Sequence, residues 1–257
     1  MDSKVYKILD ISKEHNLSHL PSALSYIEAV NYTFKNTTGP ILLGKPHGAA
    51  ALYTTWLEMG FITKEDLNKI EPDGVYTEEF QRTLKIPRIV YVANTLGNAI
   101  GVAMGMAISN TKETYNVLVS DSSFLMGTTL ETLFQLKRFN LDQKRLRVIV
   151  DWNSSTATNQ MPIDLKTFKK IIKNLELDNF IFFENKKGAG VSEIENNPNK
   201  FHYSSRVQKH SSLDKNTKEK EYEPERQTCV SISRIESKSP ESNRAIGKFE
   251  SRYNFNI

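Results

Sequence analysis

Between residues 20 and 184 two kinds of apolar pattern take turns along the chain. In "SALSYIEAVNYTF" the residues Leu24, Ile27, Val30 and Phe34 recur at helical spacing, and in "LGNAIGVAMGMAI" Leu96, Ile100, Ala103, Met104 and Ala107 do the same. Around them "PILLG", "NVLVS", "LRVIVDW" and "NFIFFE" are short and continuously apolar. A half-exposed strand alternates apolar with polar residues, whereas a strand covered on both faces does not. The four runs therefore predict a mostly parallel sheet between two layers of helices, a three-layer α/β/α domain spanning residues 1–203. From residue 204 to 257 the pattern stops. That stretch is rich in Ser, Lys, Glu and Asn, and it holds too few apolar residues to offset the entropy of ordering, so it is predicted to be a disordered polar tail. A short contact at Phe249, Tyr253 and Phe255 is the exception expected there.

Composition changes this picture little. The chain has 257 residues, 39% of them hydrophobic and 25% charged, enough for one large core or a medium core with appendages. No apolar run reaches the roughly 18 residues of a membrane span, and "MDSKVYKILDISK" lacks the apolar segment of a signal peptide, so a cytoplasmic location is expected. The single cysteine, Cys229, excludes an intrachain disulfide framework and a cysteine-based zinc site. Net charge is +4, and the eleven Lys/Arg against eight Asp/Glu after residue 203 account for +3 of it. The rest is close to neutral, which argues against nucleic acid as the main partner.

Candidate chemistry sits in "VLVSDSSFLMGTTLETLFQLKRFNLDQKRLRVIVDWNSSTAT". A strand delivers Asp121 at its carboxyl end, a helix with Leu130, Leu133 and Phe134 on one face crosses back, and a second strand delivers Asp151, Trp152 and Asn153. Ligands of open α/β sheets bind at such ends. One carboxylate and one amide oxygen make a poor chelator alone, but suit a Mg²⁺ already held by a diphosphate. A capped helix followed by an ordinary turn would explain this segment equally well.

The pairing resembles the thiamine diphosphate motif of the transketolase family, Gly-Asp-Gly, about thirty residues, then Asn. Four other segments are similar to that family in the same order. "ISKEHNLSHLPSALSYIEAV" is similar to Gly-His-x-Gly-Ser-Leu-Ser, with His19 on its histidine. "GKPHGAAALY" resembles Lys-Gly-His-Ala-x-x-Ala-Leu-Tyr, with His47 matching. "NTLGNAIGVAMGMAI" resembles Gly-Ser-Leu-Gly-Gln-Gly and its small-residue helix. "ENKKGAGVSEIENNPNKFHY" resembles Lys-Gly-x-Gly-Val-Ser-x-x-Glu-Asn with a trailing histidine, matched by His202.

The resemblance covers residues 5 to 203 and implies the family's thiamine diphosphate-binding fold. It also implies Mg²⁺ held by Asp121, Asn153 and the carbonyl of Ser155. Thiamine diphosphate would be lined by Asn94, Thr95, Leu96, Ser122 and Asn153. His47 and His202 would donate to phosphate oxygens or steer the reacting centre, and His19 would face substrate hydroxyls. His15 and His210 match nothing and are expected on the surface.

The chain also departs from the family pattern. Ser120, Ser122 and Asn94 stand where the family has glycines, and Met126 stands for a glutamate that couples the two sites of a dimer; Glu131 matches the next acidic position. A loop histidine expected in "EEFQRTLKIPRIVYVANTLGNA" is absent, as is a Gly-His-Asp signature before "FIFFE". The family's glutamate at the aminopyrimidine ring comes from a second, pyrimidine-binding domain that this sequence does not contain.

The resemblance thus implies one half of a split enzyme, paired with a separate pyrimidine-binding subunit as a dimer or heterotetramer. Such an enzyme moves a two-carbon ketol unit between sugar phosphates. A catalytically degenerate module with an interaction or regulatory role is the alternative. A dinucleotide-binding oxidoreductase is disfavoured, because no G-x-G-x-x-G follows a strand.

Overall fold

The structure, a computed structural model, describes residues 3–69, 75–157 and 159–202. The tail expected over residues 204–257, with His210, Cys229 and its late aromatic residues, lies outside the described residues. In chain order the elements are α1 (Ser3–Glu14), α2 (Leu20–Asn36), β1 (Ile41–Leu43), α3 (Ala49–Glu58), α4 (Lys64–Leu67), α5 (Glu78–Leu84) and β2 (Ile89–Val92). They continue with α6 (Ala99–Ser109), β3 (Tyr115–Ser120), a 3₁₀ turn (Asp121–Leu125), α7 (Gly127–Phe139), β4 (Leu146–Trp152), α8 (Leu165–Asn174), β5 (Phe180–Glu184) and α9 (Ser192–Asn196).

The strands form one five-stranded sheet in the order β2-β1-β3-β4-β5, every neighbouring pair parallel. Successive side chains of a strand point to opposite faces. Ile41, Leu43, Leu118 and Ile149 pack against α1, α2 and α3, while Leu42, Val117, Val119, Val148, Val150 and Trp152 pack with α6, α7 and α8. Both faces are covered, which is why the strands read as unbroken apolar runs. The fold is the three-layer α/β/α arrangement expected. No helix among the described residues is long and apolar enough to cross a membrane.

Two elements differ from the expectation. The stretch "IPRIVYVA" ends in the edge strand β2, whose exposed Val90 and half-buried Tyr91 blur its pattern. In α7 the buried stripe is Thr129, Thr132, Leu133 and Leu136, whereas Leu130 and Phe134 are 44% and 64% exposed. The cause is close packing on small groups. Thr129 Oγ1 donates to the Gly97 carbonyl at 3.1 Å, and Thr132 Oγ1 lies 3.3 Å from where a Cβ on Gly101 would be. With threonines sharing the inward stripe with Leu133 and Leu136, Leu130 and Phe134 turn outward.

Candidate functional site

From β1 the chain goes to β2 on one side of the sheet, and the later strands build outward on the other. The loops leaving β1 and β3 therefore diverge at their carboxyl ends and leave a crevice between them, the usual ligand position in open α/β sheets. A cleft of about 490 Å³ lies there. β1 leads into Lys45 and His47, β3 into Asp121, β4 into Asn153 and Ser155, and β5 into Lys187; all of these line the cleft.

The three histidines are gathered at one place. His19 stacks edge-on against His47 with ring centroids 4.8 Å apart, and against His202 at 4.9 Å. The backbone holds them there. His19 takes a left-handed φ of 60° ahead of α2, and its N–H donates to the His202 carbonyl at 3.1 Å. Its Nδ1 is 2.6 Å from Ser18 Oγ. Burial first, and then the Lys187 charge and the neighbouring rings, pull His202 down to about 3, so its imidazole is neutral at physiological pH.

His47 precedes Gly48, which has φ 80° and begins α3. A Cβ on Gly48 would lie 2.9 Å from the Ala23 backbone nitrogen. Gly48→Ala is therefore expected to cost roughly 1–3 kcal/mol in urea unfolding, since both the backbone conformation and the contact with α2 oppose a side chain.

Asp121 is fully buried at the end of β3. Its Oδ1 accepts from Ser122 N–H at 2.7 Å and Ser122 Oγ at 3.3 Å, and its Oδ2 accepts from Asn153 N–H at 2.9 Å. Burial, aided by the nearby Asp151 carboxylate, pushes Asp121 up to about 6; Lys45 and the two backbone donors oppose the rise without cancelling it. The Asn153 Oδ1 accepts from Ser155 N–H at 3.1 Å. Asp121, Asn153 and Ser155 are thus tied to one another by direct hydrogen bonds or a two-residue turn. Among the described residues no group of three or more His, Cys, Asp or Glu is placed to hold a metal alone, so any cation here would depend on the mixed set of carboxylate, amide and carbonyl.

The serines that stand for glycines adopt ordinary backbone. Ser120 has φ −104° and ψ 162°, and neither Ser122 nor Asn94 has a positive φ. Leu96 and Ser122 line the cleft, but Asn94 and Thr95 are exposed and outside its lining, and Thr95 Oγ1 accepts from Asn98 at 2.8 Å. His15 is half-buried just after α1.

Two lysines complete the site and were not singled out from the sequence. Lys45 forms an ion pair with Asp151, both buried. Lys187 donates to the Thr156 carbonyl, and burial, together with the Lys45 charge, lowers it to about 8. Each stands in a quoted segment, the lysine of "GKPH" and the second lysine of "NKKGAG", where only the histidines had drawn notice.

No protein-family model matches the chain. It is 28% identical over 165 residues to transketolase-like protein 2 of Homo sapiens, covering 56% of this chain and 25% of that protein. To the Mus musculus protein of the same name it is 30% identical over 131 residues, covering 48% and 20%. Over about half of its length the chain is similar to transketolase-like proteins. The solved transketolase from Leishmania mexicana superposes with a TM-score of 0.50 at 19% identity, over 74% of this chain and 36% of that one, which shows a shared fold. This transketolase-like chain spans a quarter or less of the length of the curated relatives it matches.

Proposed function

We propose that the chain is the diphosphate-binding subunit of a split, transketolase-like enzyme, cytoplasmic and partnered by a separate pyrimidine-binding chain. It would move a two-carbon ketol unit between sugar phosphates with thiamine diphosphate and Mg²⁺. The observation that carries this reading is the convergence of Asp121, Asn153 and Ser155 with three histidines and two lysines in one cleft at the switch point of the sheet.

The residues fit the group. Asp121 is held above the ordinary carboxylate range by burial, so a bound dication would relieve a cost the fold already bears. Lys45 and Lys187 supply positive charge for a diphosphate, and α2 and α3 begin at the cleft edge, at His19 and Gly48, without side-chain caps. When bound, thiamine diphosphate supplies the nucleophilic carbon and electron sink for breaking and making a carbon–carbon bond. The chain's own share is to hold Mg²⁺ through Asp121, Asn153 and the Ser155 carbonyl. His202, neutral and buried, and His47 would donate to phosphate oxygens or orient the reacting centre, and His19 would meet substrate hydroxyls.

The partner would dock on the outward face of α6 and α7. Leu130 and Phe134, four residues apart on α7, are 44% and 64% exposed, and Leu125 at the mouth of the cleft and Ile108 of α6 are also exposed apolar residues. Phe134→Asp is expected to abolish co-elution with the pyrimidine-binding subunit while leaving the circular dichroism spectrum unchanged. Unaltered co-elution would place the interface elsewhere.

A second reading is a degenerate module with an interaction or regulatory role. It is favoured by Ser122, whose hydroxyl donates to the very carboxylate that would bind the metal, and by Met126 in place of an acid. Isothermal titration of the chain together with its pyrimidine-binding partner, using thiamine diphosphate and Mg²⁺, separates the two. Binding that disappears in Asp121→Ala supports the enzyme subunit, and no binding by the unaltered chain in the partner's presence supports the module.

A further inference from the structure

Beneath the cleft lies a buried polar cluster that touches Asn153 from behind. Asn153 Nδ2 donates to Ser25 Oγ at 3.1 Å and to Asp151 Oδ2 at 3.3 Å. Ser25 Oγ in turn donates to the same Asp151 oxygen at 3.1 Å, and Lys45 Nζ donates to it as well. Asp151 Oδ1 has no hydrogen-bond partner among the described residues. All of the donors are collected on the oxygen that faces Asn153.

This pattern fixes which way round the Asn153 amide stands. A carboxylate only accepts, so the group within reach of Asp151 Oδ2 must be the NH₂. The Ser25 hydroxyl has its one proton for Asp151 Oδ2 at 3.1 Å or the Ser22 carbonyl at 3.2 Å, and its lone pairs are then free to accept from the NH₂. Turning the amide over would set its oxygen against two acceptors. Its Oδ1 is thereby directed to the other side, where it accepts from Ser155 N–H, while the Asn153 backbone N–H donates to Asp121 Oδ2.

We infer that Ser25 and Asp151, with Lys45 holding Asp151 in place, are positioning residues that lock the Asn153 side-chain oxygen toward the metal. This rests on the functional reading above. Neither Ser25 nor Asp151 lines the cleft, and each acts through Asn153. Outer partners of this kind commonly change metal affinity by about 10–100-fold when removed.

The test uses the full chain labelled with ¹⁵N-asparagine. The Asn153 side-chain NH₂ signals are assigned by their loss in Asn153→Asp. In the ligand-free wild type they should exchange slowly with solvent, and in Ser25→Ala about tenfold faster, with thermal unfolding of the two proteins matching within a few degrees. In the presence of thiamine diphosphate, Mn²⁺ affinity read from its paramagnetic resonance signal should fall about tenfold in Ser25→Ala. Asp151→Leu, which removes the acceptor altogether, should weaken it further. Unchanged exchange, or unchanged Mn²⁺ affinity in a variant whose exchange has changed, overturns the positioning role. Slow exchange in a wild-type chain that takes up no Mn²⁺ overturns the functional reading instead, and with it the metal as the thing being oriented.

Discussion

In the ligand-free chain at pH 8, Asp121→Asn is expected to unfold at a higher temperature than the wild type, and in saturating thiamine diphosphate and Mg²⁺ the order should reverse. Asp121 sits at about 6 against an ordinary 3.8, mainly because its carboxylate is buried. The folded state therefore binds the proton more tightly than the unfolded state does. Stability from this group is greatest below the unfolded value and is lost as pH rises through the folded one. Above pH 6 the folded state bears the whole cost, which a shift of about two units puts near 3 kcal/mol. Asparagine removes the charge, but its side chain can accept only one of the two backbone bonds that Asp121 accepts, from Ser122 and from Asn153. The net gain is then roughly 1–2 kcal/mol, a few degrees in melting temperature. It should fade toward pH 4, where wild-type Asp121 is protonated. Ligand at a hundred times its dissociation constant would stabilise the wild type by about 2.7 kcal/mol and the variant hardly at all. Melting curves at pH 4, 6 and 8, with and without ligand, check each limb of this expectation.

Lys45→Met should be the most damaging single change to stability, at about 3–5 kcal/mol. The Asp151 side chain is fully buried and that of Lys45 is 5% exposed, so the remaining carboxylate would have neither a counter-ion nor water. Ser25 and Asn153 would still donate to it, but neither carries charge. Replacing both partners, as Lys45→Met with Asp151→Leu, should recover much of the loss, because an apolar pair of similar volume carries no unpaired charge. Urea unfolding of the two single variants and the double variant measures the coupling directly. Equal losses in the Lys45→Met and double variants would show that the packing of the lysine stem matters more than the ion pair.

The sheet was legible in the sequence wherever a strand is covered on both sides. Val117, Leu118 and Val119 of β3, and Val148, Ile149 and Val150 of β4, are all buried, and nothing but a doubly covered strand needs such runs. β2 was not legible because its four residues include an exposed Val90 and a half-buried Tyr91, whereas β5, the other edge strand, keeps an unbroken apolar run in Phe180–Phe183. The apolar face of α7 was misjudged for a different reason. Periodicity reports which residues share a face, but it cannot report that hydroxyls take the inward one. The histidines and the Asp121–Asn153 pair could be located because their motifs are local. Lys45, Asp151 and Ser25 were harder, since what they do depends on a meeting of β1, β4 and α2 that no segment contains. Ser25 in particular is one of two serines along α2, with nothing in its neighbours to mark it.

The bond from the His19 N–H to the carbonyl of His202 joins two residues at nearly opposite ends of the described chain. A ribosome makes the first of these early and the second only after all five strands have been synthesised. Until residue 202 has left the exit tunnel, the three imidazoles have no common place to meet, however well the first strands have paired. A growing chain therefore passes most of its synthesis unable to draw stability from any ligand of that cleft, and must rely on its own apolar layers to avoid misfolding on the way.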